Sequence, residues 1–184
     1  MRRTEIRIAG FGGQGVVLSA TIIGKAACIY ANHYATMTQS FGPEARGGGS
    51  SAQVIVSDEP ILYPYVTRTD ILVVLSQDAY GLFVPELNDG GLLLVDEDLV
   101  RVSDLKCTVH AIPATRLAEG LGNRIVLNVV IVGFFAAVTG LLEPEALRRA
   151  VGDSVPKSSR ELNLRAFDTG LAYGAGVHPA SYAA

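Results

Sequence analysis

The sequence predicts an α/β fold with three layers, in which a mostly parallel sheet carries helices on both faces and the C-terminal part is helical. Three observations support this prediction. First, a short apolar run at residues 6–9 leads into a glycine-rich turn and then into a long apolar segment. Second, residues 70–76 have the pattern of a buried strand. Third, strand-like and helix-like segments alternate along the chain. Alternation of this kind produces parallel strands, because each helix crosses back over the sheet.

The first half of the chain contains four predicted strands and one long helix. Residues 16–31 are apolar around most of the helix circumference, with Lys25 as the only charge, as expected of a helix that packs on a sheet. The second and third strands are expected at residues 34–39 and 51–56. Five consecutive aliphatic residues between polar ends make residues 70–76 the clearest buried strand, and we expect it near the centre of the sheet.

The second half is predicted to continue the alternation and then to become helical. A helix at 78–87, a turn at the NDGG sequence of residues 88–91, a strand at 92–95 and a strand within 107–114 follow one another. Residues 125–142 carry no charge but include polar residues and glycines, so we interpret them as a core helix and not as a membrane span. Two more helices are expected, the first with Pro144 in its first turn and Arg148 and Arg149 in its last. The final helix should direct the following side chains toward the protein: Leu162, Leu164, Phe167 and Leu171.

Composition limits the possible functions. A chain of 184 residues with 49% hydrophobic residues fits one compact domain spanning residues 1–184. The net charge of -3 argues against a general nucleic-acid binder. The two cysteines form no CxxC pair, which predicts buried, reduced thiols in a cytoplasmic protein and leaves the chain unable to ligate an iron-sulfur cluster by itself. No secretion signal is evident at the N terminus.

The glycine-rich turn is the first candidate binding site. Gly10, Gly12 and Gly15 fit G-x-G-x-x-G between a strand and a helix, a Rossmann-like context in which helix N-H groups favour an anion. A dinucleotide site also needs an acidic residue about 20 positions later, but no Asp or Glu lies between Glu5 and Glu44. Gly13 and Gln14 add a glycine and an amide that this fingerprint does not require. The turn therefore serves helix packing, or accepts a ligand other than NAD, or contacts another protein.

Other catalytic constellations are missing from the sequence. The three histidines show no metal-ligand spacing, and no phosphate-binding P-loop is present. Asn128, inside the apolar helix, is interpreted as a cap or as a partner for a buried backbone group, with a role at the glycine turn as the alternative. Gln77 and Asp78 follow the strand at 70–76, on the edge where open α/β sheets bind ligands, and a helix-capping role is favoured for Asp78.

Several motifs taken together resemble one family. They are GFGGQGVVLSA, TQSFGPEARGGGSSAQVIVSDEPI, YPYVTRTDILVVLSQDAY, NVVIVGFFAAVTGLL and ELNLRAFDTG, which occur in order over nearly the whole chain. The combination is similar to the gamma subunit of 2-oxoacid:ferredoxin oxidoreductases, and the fold resembles domain III of pyruvate:ferredoxin oxidoreductase. The SFGPEARGG form followed by Tyr-Pro is most similar to 2-oxoglutarate enzymes, with indolepyruvate and pyruvate relatives left open.

The resemblance implies oxidative decarboxylation of a 2-oxoacid to an acyl-coenzyme A. Thiamine diphosphate with Mg would stabilise the carbanion, and iron-sulfur clusters would pass the electrons to ferredoxin. The sequence shows neither a thiamine diphosphate motif nor cluster cysteines, so these groups are expected on partner alpha, beta and ferredoxin-like delta subunits. The chain alone should be inactive, and a homodimer or other self-association is expected when it is isolated. Two rival hypotheses remain: a free-standing nucleotide- or acyl-coenzyme A-binding module, and a purely structural interface subunit.

The stretch TQSFGPEARGGGS is the second candidate site. Hydrogen-bonding side chains, a fixed cation and glycines that allow close approach would let it meet a substrate carboxylate or a coenzyme A phosphate. The residues assigned to this contact are Thr38, Gln39, Ser40, Arg46, Gly47 and Gly48. In the alternative, Glu44 and Arg46 pair on the surface and the glycines only make the turn into the next strand.

Overall fold

The computed structural model describes residues 3–42, 48–103 and 107–176, which form one six-stranded sheet with helices on both faces. The strands are β1 (Thr4–Phe11), β2 (Tyr34–Phe41), β3 (Gly49–Ser57), β4 (Thr69–Val74), β5 (Leu87–Asp96) and β6 (Thr108–Ile112). Their order across the sheet is β2-β3-β1-β4-β5-β6, so β4 is an interior strand, as its aliphatic sequence predicts.

The sheet is mixed, with a single reversed strand among the residues that the structure describes. The pairs β1–β4, β4–β5 and β5–β6 are parallel, whereas β3 is antiparallel to both of its neighbours, β1 and β2. The other five strands therefore run in one direction, and the prediction of a mostly parallel α/β sheet is confirmed. Because β2 and β1 point the same way, the end of β2 and the start of β3 lie at the same edge as the end of β1.

The helices are α1 (Val16–Lys25), α2 (Gln77–Phe83), α3 (Ala114–Gly120), α4 (Leu127–Thr139), α5 (Pro144–Ser154) and α6 (Arg160–Ala175). A π-helical segment, Ala26–Tyr30, extends α1. Helix α4 is buried over most of its length and lies in the main core, together with side chains from α1, α3, α5, α6 and one face of the sheet. In the part of the chain that the structure describes, no helix has the length and apolar character needed to cross a membrane.

Glycines bring α4 and α6 into contact along their backbones. A Cβ atom built on Gly133 of α4 would lie 2.0 Å from the carbonyl oxygen of Phe167 in α6. A Cβ atom on Gly170 of α6 would lie 1.9 Å from the carbonyl oxygen of Val130 in α4. Since neither helix tolerates a side chain at these points, the two glycines set the distance between the helices.

The opposite face of the sheet is covered by α2 and by irregular segments. Alternation along β1 sends Ile6 and Ile8 into the main core and Glu5 and Arg7 to this second face. The Arg7 guanidinium lies over the ring of Phe83, 4.5 Å from its centre, and donates to Glu86 at 2.8 Å. These contacts fix the end of α2 against β1.

Several local predictions differ from the structure. The NDGG sequence lies within β5, where Gly90 has a φ of 77° and the pairing with β4 shifts register. Arg148 and Arg149 occupy the middle of α5, because this helix continues to Ser154. Cys28 is exposed and Cys107 half-buried, so the prediction of buried thiols is wrong. Phe167 is fully buried as predicted, while the three leucines of the last helix pack at the margin of the core: Leu162, Leu164 and Leu171.

Candidate functional site

The candidate site lies at the sheet edge formed by the carboxyl ends of β1 and β4, called here the C-terminal edge. These two parallel strands are neighbours, but the chain leaves β1 for α1 on one face and leaves β4 for α2 on the other. Open α/β sheets bind ligands in the crevice that such a divergence creates. Two cavities of about 320 and 370 Å³ open at this edge.

Gln14 closes the crevice between β1 and β4. Its Oε1 accepts a hydrogen bond from the Phe11 backbone N-H at 2.5 Å, and its Nε2 donates to the Leu75 carbonyl at 2.8 Å. A Cβ atom on Gly10 would lie 2.4 Å from Gln14 Oε1, so glycine is required there to admit the amide. Gly10 and Gln14, both predicted to contact a cofactor, are therefore explained by contacts within the chain.

Gly15 and Asn128 form the floor of the 370 Å³ cavity. Gly15 has a φ of 73° at the start of α1, and a Cβ atom on it would lie 2.5 Å from Cγ of Asn128. Asn128 does not cap its helix, since Val126 occupies the N-cap position of α4 and Asn128 lies inside the first turn. The capping interpretation of Asn128 is therefore wrong, and the structure instead brings this residue to the glycine turn.

The start of α1 supplies backbone donors to the same cavity. The first bond of the helix runs from the Ser19 N-H to the Gly15 carbonyl at 2.9 Å, so the N-H groups of Val16, Val17 and Leu18 precede the helical hydrogen-bond pattern. Gly13, with a φ of 95°, has open space where a side chain would be. Gly12 is held by a hydrogen bond from its N-H to the Gly48 carbonyl at 2.9 Å.

The second candidate stretch is divided by the structure. Thr38, Gln39 and Ser40 belong to β2 and not to a loop, and Thr38 Oγ1 donates to Gln53 Oε1 at 3.2 Å. Of the three, Ser40 lines the 320 Å³ cavity together with Gly10, whereas Thr38 and Gln39 line only a smaller cavity of about 130 Å³ farther along β2. Arg46 and Gly47 lie outside the described residues.

The N terminus of α2 borders the 320 Å³ cavity. Ser76 is the N-cap, accepting a hydrogen bond from the Ala79 N-H at 3.2 Å, so the capping role predicted for Asp78 is wrong. Asp78 is exposed in the first turn of α2 and lines the cavity. Gln77 accepts a hydrogen bond from the Arg101 N-H at 2.8 Å and holds the segment after β5.

A buried carboxylate at the end of β5 serves structure. Asp96 is fully buried and accepts hydrogen bonds from the N-H and Oγ1 of Thr115, at 3.1 and 2.7 Å. Burial raises the pKa of Asp96, and the hydrogen bonds from Thr115 oppose this shift. Within residues 3–42, 48–103 and 107–176, no group of three or more His, Cys, Asp or Glu side chains could hold a metal ion.

Exposed apolar side chains surround both cavities, and the sequence did not predict which residues these would be. Phe11 is 38% exposed, Phe41 63%, Leu82 64% and Ile125 71%. We call these four residues the apolar rim. A large apolar side chain directly beside a glycine turn, as in GFGG and SFG, is the sequence signal that points to part of this rim. Clustered exposed apolar groups at a cavity are typical of surfaces that bind a partner.

Comparison with known proteins gives consistent matches over nearly the whole chain. The family model described as pyruvate ferredoxin/flavodoxin oxidoreductase matches residues 5–173. The 2-oxoglutarate synthase subunit KorC of Methanocaldococcus jannaschii is 47% identical over 172 residues, covering 91% of this chain and 92% of that protein. KorC of Methanothermobacter thermautotrophicus is 46% identical over 176 residues, covering 91% and 93%. The solved structure of a keto/oxoacid ferredoxin oxidoreductase gamma subunit from Geobacter sulfurreducens PCA is 39% identical, with a TM-score of 0.86 and coverage of 95% and 97%.

Proposed function

The chain belongs to the pyruvate ferredoxin/flavodoxin oxidoreductase family, and from this membership we propose that it is the gamma subunit of a multisubunit 2-oxoacid:ferredoxin oxidoreductase. The complex oxidatively decarboxylates a 2-oxoacid to an acyl-coenzyme A and transfers the electrons to ferredoxin. The observation that carries the proposal is the 47% identity with a 2-oxoglutarate synthase subunit of nearly the same length, which also supports 2-oxoglutarate as the substrate.

The residues of this chain do not fit the redox cofactors of such a complex. The whole sequence has two cysteines, whereas an iron-sulfur cluster usually requires four cysteine ligands. Cys28 and Cys107 also belong to separate parts of the fold, on the extension of α1 and before β6. We therefore assign the clusters to partner subunits. Because the sequence also has no thiamine diphosphate motif, thiamine diphosphate and Mg are likewise assigned to the alpha, beta and delta partners, and we derive no catalytic step from this chain.

The proposed contribution of this chain is a contact surface at the C-terminal edge. A partner subunit that covers the apolar rim would remove Phe41, Leu82 and Ile125 from water and enclose the two cavities beneath them. Coenzyme A is the proposed ligand of this enclosed space, approached by Gly12, Gly13 and Ser40 from the described residues. Arg46 and Gly47, although outside the described residues, are included in the proposed contact, because β2 ends and β3 begins at this edge.

One experiment tests the subunit assignment and its substrate. The complex is isolated through an affinity tag on this chain, and reduction of a low-potential electron acceptor is measured with coenzyme A and one 2-oxoacid at a time. We expect thiamine- and cluster-containing subunits to copurify, 2-oxoglutarate to support reduction, and pyruvate and 2-oxoisovalerate to support it poorly. A chain that purifies alone and supports no reduction would contradict the assignment.

A second candidate function is a structural subunit whose C-terminal edge contacts only protein. The apolar rim favours it, since apolar surface of this kind also suits a dry protein interface. The variant Arg46→Ala separates the two candidates within the assembled complex. If Arg46 binds coenzyme A, the concentration of coenzyme A needed for half-maximal rate rises while the subunits remain associated. If the edge contacts only protein, that concentration is unchanged.

A further inference from the structure

We propose that β2 pairs with β2 of a second copy of this chain, antiparallel and about a twofold axis at Thr38, so that the sheets of the two copies become continuous. The proposal goes beyond the proposed function and does not rest on it, because it concerns the outer side of β2 and not the cavities at the C-terminal edge. Its test uses this chain alone.

The backbone of β2 has one side without a partner strand. Gly42, directly after β2, donates from its N-H to the Gly49 carbonyl of β3 at 2.7 Å. Hydrogen-bonded pairs alternate along an antiparallel ladder, so the even-numbered residues of β2 are the ones that bond to β3. The odd-numbered residues direct their N-H and C=O groups away from the sheet. We call these the outward residues: Ala35, Met37, Gln39 and Phe41.

The outward side of β2 is regular and uncharged. The register of β2 with β3 is continuous from Tyr34 to Phe41, so no bulge turns the strand away from a new neighbour. Residues 34–42 include no charged side chain and no proline, so a second copy brings no like charges together and every outward residue supplies an N-H group. The Ala35 carbonyl faces the Cys28 thiol at 3.9 Å, and a carbonyl oxygen can accept a second hydrogen bond. The strand is therefore able to pair along its whole length.

Symmetry fixes the register of this pairing. Two opposite residues exchange hydrogen bonds only if both are outward residues. An axis at Thr38 places Ala35 opposite Phe41 of the second copy and Met37 opposite Gln39 of the second copy, so every outward residue is paired. An axis at Met37 would leave Phe41 opposite a residue outside β2, and an axis at Gln39 would do the same to Ala35. The axis at Thr38 therefore satisfies the most backbone groups.

A groove beside β2 supplies apolar contact for the second copy. It has a volume of about 530 Å³ and lies between α1, with its π-helical extension, and the first half of β2. Its lining includes Cys28, Ile29, Ala35 and Met37, and Ile29 is 63% exposed. A twofold axis perpendicular to the sheet keeps this face on the same side in both copies. Alternation along the strand puts Phe41 on the same face as Ala35, so Phe41 of the second copy would lie over the groove.

This arrangement is the reason to expect a second copy and not an unrelated strand. The groove lies at the start of β2, where the side chain of Ala35 is small, and the 63% exposed ring of Phe41 lies at the end of the same strand. Antiparallel self-pairing brings the end of one strand to the start of the other, and it does so twice. Each copy therefore provides both the groove and the side chain that fills it.

The first test is sedimentation velocity of the full-length chain over a wide range of protein concentration. We expect a dimer that dissociates on dilution, whereas a monomer at every concentration would overturn the proposal. Gln39→Pro removes an outward N-H from each copy and leaves the bonds to β3 in place, so the dissociation constant should rise about tenfold or more. Gln39→Ala keeps the N-H and is the matched control, with an unchanged dissociation constant. Equal dimerisation by these two variants would also overturn the proposal.

The second test leaves the backbone of β2 intact and examines the register. In a chain that carries Cys28→Ser and Cys107→Ser, Thr38→Cys would place two thiols opposite each other, with Cα atoms roughly 4.5 Å apart, within the range of a disulfide. Thr36→Cys is the control, because its two copies would lie roughly 13 Å apart along the strands. Under oxidation by copper-phenanthroline in air, the Thr38→Cys chain should form a covalent dimer at least tenfold faster than the Thr36→Cys chain. Equal rates, or no covalent dimer of the Thr38→Cys chain, would refute the axis at Thr38 and with it the proposal.

Discussion

The backbone contact between α4 and α6 is tested by replacing Gly170 with alanine. The new Cβ would lie 1.9 Å from the Val130 carbonyl oxygen, whereas an ordinary contact begins at 3.4 Å. A carbonyl inside a helix cannot turn away as a side chain can, so α6 would have to move by roughly 1.5 Å. This movement would open the packing around Phe134 and Phe167, both of which are fully buried.

The magnitude follows from two opposing effects. Alanine is favoured over glycine within a helix by about 1 kcal/mol, whereas overpacking of a core usually costs about 1–3 kcal/mol. Because the clash involves backbone atoms of two helices, we expect the upper part of that range and a net loss of about 2 kcal/mol. Gly24→Ala in α1 is the matched control, since no atom lies within 4 Å of the added Cβ. That substitution should stabilise the chain by about 0.5–1 kcal/mol.

The assay is urea unfolding of the full-length chain, followed by circular dichroism at one protein concentration. The urea midpoint should fall for Gly170→Ala and rise for Gly24→Ala, with the same dependence of the unfolding free energy on urea in both variants. If Gly170→Ala is as stable as the unmodified chain, the two glycines do not set the distance between the helices and the reasoning is refuted.

Three further predictions concern the crevice, a buried histidine and the apolar rim. Gln14→Met should lower the free energy of unfolding by about 1–3 kcal/mol in the urea assay, because the Phe11 N-H and the Leu75 carbonyl both lose their partner. Burial lowers the pKa of His110 below its ordinary 6.5, so the imidazole is protonated more readily in the unfolded chain than in the folded chain. The free energy of unfolding should therefore fall as the pH drops below about 6.5. Unfolding curves at pH 7 and pH 5 should show a smaller loss for His110→Leu, and an equal loss would disprove the assignment. Leu82→Glu should reduce copurification of partner subunits at least severalfold without lowering the stability of the isolated chain, because Leu82 is 64% exposed.

Much of the architecture was predictable because strand and helix patterns are local. The aliphatic run after Asp70 is typical of an interior strand. Helix α4 is apolar around most of its circumference, which is typical of a core helix. The family assignment from the combined motifs is also confirmed. Strand direction is not a local property, and nothing in the alternation of residues 49–57 distinguishes the reversed β3 from a parallel strand. Only the short connection from Gly42 to Gly48 indicates a hairpin.

The candidate site was less predictable because it depends on contacts between distant segments. The G-x-G-x-x-G pattern located the turn, but it did not reveal that Gly10 accommodates Gln14 and that Gly15 accommodates Asn128. Likewise, Asp78 and Ser76 are both reasonable caps in sequence, and the backbone conformation at Ser76 decides between them. The same residue type can contact a ligand or a neighbouring residue of the chain. Only the three-dimensional structure shows which of these contacts is made.

Strand β2 has a consequence for the chain in the period between its synthesis and its assembly. It ends the sheet, and neither a charged residue nor a proline interrupts residues 34–42, so the protection that charges and prolines give to an edge strand is absent here. The rate at which two free chains meet rises with the square of the free-chain concentration. The rate at which a partner subunit captures a free chain rises only in proportion to that concentration. We therefore expect excess chain to self-associate disproportionately. If a partner subunit covers this strand in the complex, production of the subunits in matched amounts would protect it kinetically, without any change in its sequence.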